Sequence, residues 1–91
     1  SALRDLALVV QDTVSHDALI AALTDDVSGL VRSAQLFDLY KPKAAQVQER
    51  SMAVRLTLRD DDATLTDERI EAVMNEALAR AQQRVGARLR T

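Results

Sequence analysis

Ninety-one residues carry 12 Lys and Arg against 14 Asp and Glu, a formal net charge of −2, with 47% apolar and only 2% aromatic side chains. That length holds one domain with a single modest aliphatic core, and the charge excludes a generic polyanion binder such as a non-specific DNA protein. The lack of cysteine excludes disulfides, thiolate metal sites and iron–sulfur clusters, while the lack of any apolar run of about 18 residues or of a signal-peptide pattern points to a soluble cytoplasmic protein with no membrane partner.

Leu6, Leu8 and Val10 alternate with Asp5, Ala7 and Val9, predicting a first strand near residues 4–11. Ser15 is a good N-cap, with Val14 and Leu19 placed as a hydrophobic staple. A helix follows to about Val27, burying Leu19, Ile20, Leu23 and Val27 and stopping at Gly29. A second strand spans 33–41 through Leu36-Phe37-Asp38-Leu39-Tyr40. Phe37 and Leu39 are expected inward and Asp38 and Tyr40 outward, an assignment that a slip of one residue reverses. The polar run from Lys41 to Glu49, with Pro42 and Lys43, reads as a long loop.

The third strand, Ser51 to Asp60, has the clearest alternation. Met52, Val54, Leu56 and Leu58 fall on a face that must be buried, and Ser51, Ala53, Arg55, Thr57 and Arg59 on the other. Asp60, Asp61 and Asp62 read as a solvated turn rather than a Mg²⁺ site, because consecutive turn residues rarely converge on one ion. Thr66 then caps a long helix, with Leu65 and Ile70 as a second staple. Its apolar stripe is Ile70, Val73, Met74, Ala77, Leu78, Ala81 and Val85. Gly86 closes the helix, and Ala87-Arg88-Leu89-Arg90 adds a short fourth strand. The order βαββαβ predicts an α+β, ferredoxin-like fold: a four-stranded antiparallel sheet, first and third strands central, with two helices on one face and the other face open.

Catalysis finds little support. No Ser/His/Asp or Cys/His set, Gly-rich phosphate loop or metal-ligand spacing is present, and the lone His16 sits in an exposed first helical turn. Asp67, Glu68 and Glu71 at the start of the long helix, and Arg80 and Arg84 near its end, complement the helix dipole. Charge is nevertheless uneven: residues 60–71 hold six acids and one arginine, residues 80–91 four arginines and no acid, and ten of the twelve basic residues are Arg. On the open face Arg55, Arg59, Arg88 and Arg90 join Thr57, Tyr40 and the small Ala7 and Ala53. Such a face suits single-stranded RNA, whose bases stack on aromatic or guanidinium planes. It equally suits a solvated sheet with Asp38 and Arg55 paired across strands.

Four blocks together resemble one family: Arg4-Asp5-Leu6-Ala7-Leu8-Val9-Val10, Leu36-Phe37-Asp38-Leu39-Tyr40, Ser51-Met52-Ala53-Val54-Arg55-Leu56-Thr57-Leu58-Arg59-Asp60 and Thr64-Leu65-Thr66-Asp67-Glu68, with the closing Gly86-Ala87-Arg88-Leu89-Arg90. They are similar to the C-terminal ferredoxin-fold anticodon-binding domain of the bacterial phenylalanyl-tRNA synthetase beta subunit. The resemblance implies that residues 1–91 are one domain of a larger subunit, without a catalytic role or cofactor of its own. The parent would be a phenylalanine–tRNA ligase using ATP and Mg²⁺, its catalytic centre on the alpha subunit. The implied partners are the anticodon stem-loop of phenylalanine tRNA, the rest of the beta subunit and the alpha subunit. The residues expected to contact such an RNA are Tyr40 as a stacking platform, Arg55 and Arg59 on phosphate or base, and Ser51, Arg4 and Arg88 by hydrogen bond or charge. The chain departs from the family in lacking a Gly shortly after Tyr40, where Pro42 stands, and in carrying Gln48-Glu49-Arg50-Ser51 in place of a Gly-Lys-Lys-Ser run. An ACT-like small-molecule module shares the layout, and docking within its own synthetase is a further alternative.

Overall fold

Six elements are present in a computed structural model that describes residues 1–41 and 48–90: β1 (Ala2–Gln11), α1 (His16–Thr24), β2 (Val31–Tyr40), β3 (Glu49–Leu58), α2 (Asp67–Val85) and β4 (Arg88–Leu89). Pro42 and Lys43 of the expected loop lie outside the described residues. The four strands pair antiparallel in the order β2-β3-β1-β4, so the first and third are central and the fold is ferredoxin-like.

Strand alternation decides which face is covered. Leu8, Val10, Met52, Val54, Leu56 and Leu58 are each at most 1% exposed, and all lie on one side of the sheet. Against them pack Leu19, Ala22 and Leu23 of α1 and Ile70, Val73, Ala77 and Ala81 of α2. Burying each larger aliphatic side chain contributes about 1.5–3 kcal/mol. With almost no aromatic volume to fill, Ala77 and Ala81 give α2 a small-residue face towards the sheet. The helix ends follow their capping chemistry. Ser15 Oγ accepts from the Ala18 N–H at 3.0 Å and Thr66 Oγ1 from the Arg69 N–H at 3.1 Å. Gly86, at φ +68°, adopts the left-handed conformation that closes α2. Arg80 Nε and Nη2 donate to the Ala22 and Leu23 carbonyls at 2.6 and 2.8 Å, and Arg84 pairs with Asp25 at 2.6 Å. Both arginines therefore tie α2 to the C-terminal end of α1.

The first helix is shorter than its apolar pattern predicts. It stops at Thr24, and Val27, expected in the core, is fully exposed. The reason is Asp26, whose carboxylate accepts from the Ser28, Leu30 and Val31 N–H groups at 3.1, 3.0 and 3.0 Å and from the Ser28 hydroxyl at 2.6 Å. A side chain that satisfies so many turn amides competes directly with the helix. Gly29, at φ +72°, serves this turn rather than the helix end. At the other strand ends, β1 begins two residues earlier than expected, and β3 leaves the ladder after Leu58, with Arg59 and Asp60 beyond it.

The second strand corrects an expected orientation. Ladder irregularities lie between Val31 and Ser33 and between Leu36 and Asp38. The second leaves Phe37 as an extra residue, so Leu36 stands opposite the buried Val54 and Leu39 opposite the buried Met52. Leu36, expected outward, packs against the core, whereas Phe37, expected inward, is 53% exposed. A bulge resets the two-residue alternation, so two consecutive side chains need not take opposite faces.

Candidate nucleic-acid interface

The helix-free face is built in rows across the strands, because directly opposed residues point to the same side. Tyr40, Ser51, Val9 and Arg88 form one row, and Asp38, Ala53 and Ala7 the next. Gln35, Arg55 and Asp5 form a third, and Ser33, Thr57 and Leu3 a fourth. The middle of the face is thus a low floor of Ser51, Ala53 and Ala7, with large side chains on either side.

On one flank Arg90 lies over the Tyr40 ring, 5.4 Å from its centroid. Tyr40 and Arg90, with Val9, Ser51 and Arg88, line a shallow hollow of about 200 Å³. Ser51 is on the expected face yet only 8% exposed, because it lies at the base of this hollow. Arg88 is turned to Glu49, with Nη2 to Oε1 at 2.9 Å and a second bond from Nη1 to Oε2. On the other flank Arg55 lies over the Phe37 ring at 5.1 Å. Its Nε and Nη2 reach the two carboxylate oxygens of Asp5 at 2.8 and 3.1 Å.

The partner of Arg55 is therefore Asp5, directly opposite on β1, and not Asp38, which the bulge sets opposite Ala53. Hydrogen bonding to Arg55 holds the Asp5 carboxyl below its ordinary value, and the same pair raises the guanidinium further. Hydrogen bonding to Arg88 likewise lowers Glu49 and raises Arg88. Both fork–fork pairs stay charged through the neutral range.

Of the six residues singled out in the sequence, Tyr40, Ser51 and Arg88 come together in one row, and Arg55 stands two rows away on the same face. Arg59 lies beyond the end of β3 and pairs with Asp61 at 2.9 Å; Arg32 meets the same carboxylate at 2.8 Å. Arg4 stands opposite the buried Leu56, in register with the helix side, and its Nη1 donates to the Leu3 carbonyl at 2.8 Å. Neither joins the rows of the open face. Strict alternation puts Phe37 on the wrong face; it puts Asp5 on the helix-free side, but not as the partner of Arg55. For Phe37 the apolar spacing Leu36, Phe37, Leu39 was the available signal, since Leu36 and Leu39 can share the core side only if a bulge between them resets the alternation.

Comparison with known proteins adds a lineage to this geometry. A family model described as a ferredoxin-fold anticodon binding domain matches residues 1–90. Proteins named phenylalanine–tRNA ligase beta subunit are similar over nearly the whole chain. That of Haemophilus influenzae is 41% identical over 96% of this chain, and that of Dechloromonas aromatica 36% identical over 97%. That of Methylococcus capsulatus is 39% identical over 96%. The chain spans 11% of the length of each of these relatives.

Proposed function

The chain belongs to the ferredoxin-fold anticodon-binding domain family, and from that premise we propose that it binds the anticodon stem-loop of a phenylalanine tRNA through its helix-free sheet face. In this reading it is a recognition domain of a phenylalanine–tRNA ligase beta subunit. Aminoacylation, with its ATP and Mg²⁺, takes place elsewhere in the complex with the alpha subunit. The observation that carries the reading is the small-residue floor of Ser51, Ala53 and Ala7 between two ring–guanidinium stacks, Tyr40 with Arg90 and Phe37 with Arg55. Unpaired loop bases need flat surfaces that tolerate any base and a floor low enough to reach. Family membership favours this over a small-molecule module.

An NMR titration with cognate and non-cognate anticodon stem-loops tests it. Amide shifts are expected along β1, β3 and the end of β2, larger with the cognate RNA. Shifts confined to α1 and α2 would contradict the proposal. A second reading, docking within the synthetase, draws on β4 pairing only with Leu8 and Val9. That leaves the Leu3–Asp5 edge of β1 without a strand partner among the described residues, and a sheet edge can accept another chain.

A further inference from the structure

Phe37 has no place in the core. Its neighbour Leu36 fills the position facing Val54, and the bulge leaves the Phe37 ring 53% exposed beneath Arg55. Bulges characteristically re-aim a side chain at the expense of regular pairing. We propose that Asp5, Arg55 and Phe37 form a second base-stacking platform, distinct from that of Tyr40 and Arg90, for an unpaired nucleotide of the bound RNA. This deepens the RNA-binding reading and rests on it.

The geometry argues for a base rather than a phosphate. Asp5 takes the in-plane donors Nε and Nη2 of Arg55, the group that would otherwise fork onto a phosphate. Three N–H donors remain on Nη1 and Nη2, but the carboxylate already neutralises the charge that would draw a phosphate to them. The flat face of Arg55, by contrast, is held in place by that carboxylate at its edge and by the Phe37 ring. The Arg55 side chain remains 47% exposed. A planar, weakly hydrated cation backed by an aromatic ring is a surface on which any base can stack.

The spacing also constrains the RNA. Arg55 and Ser51 are four residues apart on β3, or about 13 Å at ~3.3 Å per residue. Stacked bases rise only about 3.4 Å per step along one strand. Bases seated on the two platforms are therefore splayed apart over the Ala53–Ala7 row, as in single-stranded loops recognised base by base.

The test titrates the wild-type chain, Phe37→Leu and Arg55→Lys with the anticodon stem-loop of a phenylalanine tRNA, and with copies carrying one abasic nucleotide at each loop position in turn. Leucine keeps apolar bulk without a ring, and lysine keeps charge without a plane. Each variant should bind the intact RNA roughly ten-fold more weakly. One abasic position should weaken binding to wild type yet have no further effect on either variant. Binding of intact RNA within about two-fold of wild type, or abasic penalties unchanged at every position, would overturn the platform and leave the RNA-binding reading standing. Failure of the wild-type chain to bind any stem-loop would instead remove that reading and the platform with it. Should Phe37→Leu fail to fold, Arg55→Lys answers the same question through the same abasic comparison.

Discussion

Asp26 holds the crossing from α1 to β2 with a single carboxylate that gathers three backbone N–H groups and the Ser28 hydroxyl. Partial burial pushes its pKa up, but the bonds from Ser28, Val31 and Leu30 outweigh that push and hold it below its ordinary value. The sign of the linkage follows. A carboxyl whose pKa is lower folded than unfolded contributes stability above its unfolded value, about 3.9, and loses it as pH falls through the folded value. Replacing Asp26 with Ala leaves the amides of the buried Leu30 and Val31 without this acceptor. Urea unfolding at pH 7 should therefore show a loss of about 1–3 kcal/mol. The gap to wild type should narrow as the pH drops below about 4, where protonation weakens the native carboxylate too. A gap that stays constant down to the lowest pH at which the chain folds would assign the loss to packing instead.

At the scale of elements, the bulge in β2 decides both the core and the site. Leu36 packs against the core while Phe37 stands in solvent, so Leu36→Ala should destabilise the fold by about 1–2 kcal/mol, the share expected for a half-buried leucine. Phe37→Ala should change stability by less than about 0.5 kcal/mol, as exposed positions do. Equal losses, or the reverse order, in chemical denaturation would mean that the strand sits in the other register. The same bulge marks where sequence reading runs out. Ser15, Thr66 and Gly86 were legible because a cap is a local agreement between one side chain or one φ and its own helix. The inward face of β3 was legible because four apolar residues alternate without a break. The facing of Leu36 and Phe37 was not, because a bulge is a property of two strands and only the partner reveals it. Tyr40, Ser51 and Arg88 could be placed on one face from alternation. That Arg55 answers to Asp5 depended on the pairing of β1 with β3, fifty positions apart in the chain.

Over the whole molecule, pairing of charges matters more than their count. Ten arginines suggest a phosphate-binding surface, yet on the helix-free face Arg55 is held by Asp5 and Arg88 by Glu49, while Arg90 lies over Tyr40. Arg59 meets Asp61 off the end of β3, and Arg80 and Arg84 are engaged at the end of α1. On the RNA-binding proposal, a face neutralised in this way would recognise RNA by stacking and shape more than by counterion release, in keeping with a net charge of −2. Each phosphate neutralised on a single strand contributes about −0.7 to the slope of log affinity against log salt. The wild-type slope should accordingly be no steeper than about −1.5, near two phosphates. Asp5→Asn removes the charge that holds the Arg55 fork, so the slope should steepen by about 0.7 as the guanidinium turns to a phosphate. In the same variant the abasic penalty at the Phe37 platform should shrink, because the plane is no longer fixed over the ring. A wild-type slope of about −4 or steeper, from anisotropy titrations across a salt series, would mean that these ion pairs open on binding. The arginines would then act as phosphate clamps and not as planes.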